Sequence, residues 1–180
     1  MSKAIAFEGP DLTGKTSLID ALQKRMPYAM WPTLSIHSST IALRQSSGQA
    51  IDTAGAAFYS SIASMARTLP VLLDRCYVTN YVYGSIFGRA TNIKILNEVA
   101  QVLRPTIVYV FTSLEILLER LKWHGDEFVD RKVLVNIFEM YTHWFYDNPF
   151  SDKIIRIDSS QEPTVDDLAA AVAGRLEKGT

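Results

Sequence analysis

The chain has 180 residues, 48% of them hydrophobic, and a formal net charge of −1. That length and apolar share suit one domain with an ordinary core, and the near-neutral balance excludes a global basic field for nucleic acid, leaving room only for a local basic groove. The single cysteine, Cys76, excludes an internal disulfide framework and fits a reducing cytoplasm. No apolar run approaches the ~20 residues that span a bilayer, and no signal-peptide pattern is expected at the start.

In chain order, residues 4–7 (AIAF) predict a short buried strand, and residues 15–25 a helix with Leu18, Ile19 and Leu22 on one face. Pro27 stops that helix. Residues 28–31 suit a second short strand ended by Pro32, and residues 38–44 a short helix. Residues 51–67 read as a half-buried helix. Residues 71–73 are a fully apolar strand ending in Asp74-Arg75. Helical stretches follow at 77–87 and 93–103. Pro105 opens a strand at 106–111, and Ser113 is placed to cap a helix at 114–122. A polar break at 123–130, containing Gly125, precedes a helix at 131–146. Residues 154–157 are the last strand. Thr164 caps a final helix whose first turn carries Asp166 and Asp167, where carboxylates suit the helix dipole.

Strands alternating with helices imply an α/β fold, a parallel sheet covered on both faces. Ligands of such sheets lie beyond the carboxyl ends of the strands. Two polar clusters fall at such ends, the loop after Phe7 and the pair Asp74-Arg75. They are expected to share one cleft.

The loop has the spacing Gly9-x-x-x-x-Gly14-Lys15-Thr16 between an expected strand and an expected helix. Glycines let main-chain N–H groups turn inward on phosphate oxygens, and the helix adds its positive end. Lys15 can reach the β- and γ-phosphates, and Thr16 can ligate Mg²⁺. Asp74 can hold the Mg²⁺ shell through water or orient an acceptor hydroxyl, and Arg75 can grip a phosphate with two parallel bonds. Arg120, Lys122, His124 and Arg131 flank the break at Gly125, as a basic lid over phosphates would. A chance glycine turn, a surface ion pair and a solvated helix end are the plain alternatives for these three features. His37 and His143 lack ligand-spaced partners for a metal. Trp31, Trp123 and Trp144 suit either base stacking or core packing. Cys76 reads as a small buried residue.

With these residues in view, the chain resembles the thymidylate kinases among the P-loop nucleoside and nucleotide kinases. FEGPDLTGKTSL (residues 7–18) is similar to that family's phosphate loop, LLDRCYVTNYVYG to its Asp-Arg-Tyr segment with Cys76 in the tyrosine place, and RPTIVYVFTSLEILLERL to its fourth strand and next helix. IIRIDSSQEPTVDDLAAAV resembles its last strand, adenine-side loop and final helix. The resemblance implies a single domain, residues 1–180, with a five-stranded parallel sheet flanked by helices and a lid segment near 120–131. It implies ATP with Mg²⁺ and transfer of the γ-phosphoryl group to a deoxynucleoside monophosphate. On that pattern Gly9, Gly14, Lys15, Thr16 and Ser17 bind ATP, and Asp11, Arg75 and Tyr83 bind the acceptor, with Trp31 and Gln49 as further acceptor candidates outside the pattern. Lys15, Asp74, Arg120 and Arg131 act in transfer, and Thr16 with Asp74 serves the metal.

The chain departs from the pattern in three places. Leu12 stands where some members carry a loop arginine, so catalytic charge is expected from Arg120 or Arg131. The family's thymine-reading pair falls near Ala50 and Ala54, with Gln49, Asp52, Phe58 and Arg67 nearby. A second phosphate-gripping arginine after Trp31-Pro32 is not evident. These departures leave open a kinase for a hydroxyl acceptor, either a deoxynucleoside or a hydroxymethylated pyrimidine in DNA. A nucleotide-binding regulatory protein without an acceptor is the reading from another class. A homodimer through the helices at 51–67 and 77–87 remains open.

Overall fold

The computed structural model describes residues 4–26, 33–35, 48–88, 93–125, 129–147, 154–160 and 164–178. The strands are β1 (Ala4–Glu8), β2 (Thr33–Ser35), β3 (Val71–Asp74), β4 (Thr106–Phe111) and β5 (Ile154–Asp158). The helices are α1 (Lys15–Arg25), α2 (Gly48–Met65), α3 (Tyr77–Ile86), α4 (Ile93–Leu103), α5 (Leu114–His124), α6 (Arg131–Asp147) and α7 (Val165–Lys178). The strands form one parallel sheet in the order β2-β3-β1-β4-β5. The expected α/β architecture, a parallel sheet flanked by helices, is therefore the observed one.

Side chains alternate across the sheet because the strand period is two. Ala4, Ala6, Val71, Leu73, Ile107 and Tyr109 face the layer built from α2, α3, α4 and α6. Ile5, Phe7, Leu72, Val108 and Val110 face α1 and α7. Both faces are apolar, as a buried parallel sheet requires. Phe7 and Leu22 are almost wholly buried in the second layer, and each such side chain stabilises the fold by roughly 2 kcal/mol.

Local chemistry explains the ends. Ser113 caps α5 by accepting the Ile116 N–H, and Gly125 ends that helix at φ 63. α5 runs through Trp123 and His124, two residues past the expected stop at 122, because neither residue opposes a helix. At α7, Thr164 Oγ1 accepts the Asp167 N–H at 3.2 Å while Asp167 accepts from the Thr164 main chain and hydroxyl, a reciprocal cap. One expectation is corrected. The second strand begins after Pro32, at Thr33, whereas residues 28–31 were expected to form it with Pro32 as its end. β2 is an edge strand, and proline is tolerated directly ahead of an edge strand. Residues 28–31 and the expected helix at 38–44 lie outside the described residues. Helix α3, one of the candidate dimer surfaces, buries Tyr77, Val78, Thr79, Val82 and Tyr83 in the core. Among the described residues, no helix is long and apolar enough to cross a membrane.

Candidate functional site

The carboxyl ends of the central strands β1 and β3 carry the loop at residues 9–14 and the turn at Asp74-Arg75, and the two predicted clusters meet there through Thr16–Asp74 and Asp11–Arg75. Gly9 has φ +144, and a Cβ there would lie 2.0 Å from the carbonyl oxygen of Val110. Only glycine lets β1 leave the sheet this close to β4. Leu12 and Gly14 are left-handed, at φ 65 and φ 83, and such alternations turn successive amides toward one point. Gly14 is the N-cap of α1, and no side chain caps that helix. Its first amides are therefore directed at the cleft, as phosphate binding needs.

Lys15 is curled into this loop. Its Nζ donates to Pro10 O at 2.6 Å and lies 3.4 Å from Thr13 Oγ1, which itself donates to Pro10 O. The residue is 5% exposed. Burial, and then the positive charge of Arg75, bring its pKa down to about 7, against the pull of Asp11, Asp74 and Glu8. Thr16 and Ser17 sit exposed on the first turn of α1.

Thr16 Oγ1 and Asp74 Oδ2 lie 3.5 Å apart. Both are oxygen donors beside the phosphate loop, and among the described residues no group of three or more His, Cys, Asp or Glu gathers elsewhere as a metal site. This sparse oxygen set fits Mg²⁺, which keeps several waters and takes its remaining ligands from phosphate and one or two side chains.

Opposite Lys15 stands a second cluster. Arg75 follows β3 with φ 75, a conformation that costs on the order of 1–3 kcal/mol for a non-glycine residue. Its N–H is tied to Phe7 O at 3.0 Å, which holds the turn. Arg75 Nη2 forms a buried ion pair with Asp11 Oδ1. Tyr83 Oη donates to Asp11 Oδ2, and the Arg75 guanidinium carbon lies 5.2 Å from the Tyr83 ring centre. Burial, together with Asp11, raises the Tyr83 pKa, while Arg75 opposes the rise. The phenol therefore stays a neutral donor at physiological pH. Arg75 Nη1 reaches Tyr141 Oη at 3.4 Å.

The remaining expected residues divide. Arg120 donates from Nη1 to Leu12 O at 2.8 Å and from Nη2 to Ser159 O at 3.2 Å, so it ties the phosphate loop to the β5–α7 loop. Arg131 is exposed at the start of α6, and Lys122, Trp123 and His124 are exposed at the end of α5. Residues 126–128 of the expected lid segment lie outside the described residues. Trp144 is a core residue and Trp123 is 76% exposed. Gln49 lies in the first turn of α2, but its side chain and Trp31 lie outside the described residues. Cys76 is buried.

Glu8, Thr79 and Tyr141 were absent from the sequence reading. Glu8 is completely buried. It accepts the N–H groups of Cys76 and Thr79 and the hydroxyls of Thr79 and Tyr141. Strand alternation held the available signal. Glu8 continues the buried face of Ala4 and Ala6, where a carboxyl needs donors.

No family model matches the chain. It is 22% identical over 142 residues to the uncharacterized protein YorR of the SPbeta prophage of Bacillus subtilis strain 168, covering 76% of this chain and 78% of that protein. Among solved structures it superposes on YorR of Bacillus subtilis in complex with phosphorylated GDP at a TM-score of 0.78 and 20% identity, covering 98% of this chain and 96% of that one. Deoxyadenosine kinase from M. mycoides with bound dCTP gives 0.63 at 11% identity, covering 97% and 99% of the two chains. Thymidylate kinase from Candida albicans gives 0.66 at 15% identity, covering 99% and 92%. The fold is that of the P-loop nucleoside and nucleotide kinases, consistent with the thymidylate kinase-like resemblance.

Proposed function

We propose that the chain is an ATP-dependent phosphotransferase acting on a deoxynucleotide-like acceptor, with a deoxynucleoside monophosphate as the leading substrate. The observation that carries this reading is the convergence of Asp11, Arg75 and Tyr83, from three different segments, beside the loop that holds Lys15. The regulatory alternative leaves that second cluster without a use.

Phosphoryl transfer depends on positioning and charge stabilisation. The loop amides and Lys15 would hold the donor phosphates. Thr16 and Asp74 would hold Mg²⁺, which when bound neutralises charge on the phosphate oxygens. Asp11 and Tyr83 would orient the acceptor's sugar, with Arg75 facing its phosphate. Arg131 would add charge from the lid.

A hydroxyl acceptor is the second reading, favoured by one feature. Arg75 is already neutralised by Asp11 in a buried pair, so the cluster offers a dianion little net positive charge. Phosphate transfer to deoxynucleoside monophosphates, deoxynucleosides and hydroxymethylpyrimidine-containing DNA, at low and moderate salt, separates the readings. Labelling of monophosphates is expected. Labelling confined to nucleosides or DNA would overturn the leading reading, and a DNA acceptor would also show steep salt dependence. ATP binding with no acceptor labelled would favour the regulatory alternative.

A further inference from the structure

Glu8 has no part in the chemistry above, yet it is 0% exposed. A carboxyl in that position is costly unless donors surround it. Oε1 accepts from Cys76 N at 2.7 Å and from Thr79 N at 3.2 Å. These amides belong to the start of α3, whose N-cap Cys76 provides no side-chain cap. Oε2 accepts from Thr79 Oγ1 at 2.7 Å and from Tyr141 Oη at 2.9 Å. Tyr141 Oη receives Arg75 Nη1 on its other side. One carboxyl therefore caps the helix that carries Tyr83 and, through a single hydroxyl, braces the guanidinium of Arg75.

We propose that Glu8 is a positioning residue for the acceptor pocket, aiming Arg75 through Tyr141 and setting the start of the helix that presents Tyr83. The proposal rests on the reading of Asp11, Arg75 and Tyr83 as that pocket. Helix capping alone needs only Oε1. The second oxygen is spent on the two hydroxyls, and Tyr141 comes from α6, on which the cap does not depend. The two terminal nitrogens of the Arg75 guanidinium are held separately. Asp11 holds one and the Tyr141–Glu8 chain the other.

Glu8→Gln keeps the oxygen that accepts the two amides but puts an NH₂ donor where Tyr141 Oη donates. Tyr141→Phe cuts the same chain and leaves the cap intact. Each variant should raise KM for the best acceptor about tenfold, the range for hydrogen bonds to charged groups, with KM for ATP within about twofold. The double variant should be little worse than either single one, because both break one chain of bonds. Arg75→Ala is measured alongside. Wild-type acceptor KM in folded Glu8→Gln and Tyr141→Phe, or strictly additive effects, would overturn the proposal. So would parallel rises in both KM values, which a merely structural role predicts. If those two variants behave as wild type while Arg75→Ala loses transfer, the Glu8 proposal fails and the pocket stands. If Arg75→Ala transfers normally, the pocket reading fails and takes the proposal with it. Should Glu8→Gln not fold, Tyr141→Phe alone decides.

Discussion

The Lys15 ammonium lies 2.6 Å from the carbonyl oxygen of Pro10, inside its own loop. Burial, then Arg75, lower its pKa to about 7. The folded value lies below the unfolded one, so the cost of burying the charge is full below pH ~7 and fades as pH rises toward the ordinary lysine value. Donor phosphates favour the charged form and reverse that shift. Nucleotide binding at pH 8.5 should therefore take up close to one proton, and affinity should fall as pH rises above about 7. Calorimetry in buffers of different ionisation enthalpy measures the uptake. Lys15→Ala should abolish it and slow turnover on the order of a hundredfold or more. Equal uptake in wild type and variant would remove Lys15 from the phosphates.

Gly9 and Gly14 both have positive φ, but only Gly9 meets a neighbouring backbone atom when a Cβ is added. Gly14→Ala should cost about 1–2 kcal/mol from backbone strain alone. Gly9→Ala should cost on the order of 3 kcal/mol or more, since strain and overpacking combine. Chemical denaturation of the two variants compares them. Equal losses would mean that β4 yields at Val110.

Arg120 and Arg131 should separate. Arg120→Ala removes two bonds from a charged donor to main-chain carbonyls. It should lower stability by about 1–3 kcal/mol and weaken ATP binding together with kcat. Arg131 is exposed, so Arg131→Ala should leave stability within about 0.5 kcal/mol and lower kcat alone. Thermal midpoints and steady-state kinetics decide. A purely kinetic Arg120 effect would return that residue to the lid.

Asp11→Asn leaves the buried Arg75 charge without its partner and should cost about 3 kcal/mol. If an acceptor phosphate sits on Arg75, a deoxynucleoside monophosphate should restore more of the variant's thermal stability than of the wild type's, and the matching nucleoside should not. Equal restoration by both would place the phosphate elsewhere.

Cys76 is wholly buried, and burial, followed by the charge of Glu8, raises its thiol pKa. It should resist maleimide in the native protein and react on unfolding. Rapid native labelling at neutral pH would show that the start of α3 opens locally.

Much of the fold was legible because its elements carry clean local signals. Apolar runs such as TIVYVF, and caps such as Ser113 and Thr164, mark their own boundaries. The short β2 has no such signal; at an edge it needs only three residues. Arg75 was legible from its place at a strand end, while the acceptor roles of Asp11 and Tyr83 came through resemblance, and the structure gathers all three. Glu8 was missed because an acidic residue before Gly-Pro reads as a strand's exposed end. Its partners lie 68 to 133 positions away, beyond any local window. Arg120 was legible as a charge but not as a tie between two loops.

The strand order also shapes how the chain is made. β1 is central and emerges first, but its neighbours β3 and β4 begin at Val71 and Thr106. During synthesis at about 5–20 residues per second, the apolar stretch Ala4–Glu8 waits several seconds for both of its edges to be covered. Slow, non-local pairing of this kind exposes nascent chains to aggregation, so the yield of active protein should respond to translation speed and chaperone supply more than to the stability of the finished fold.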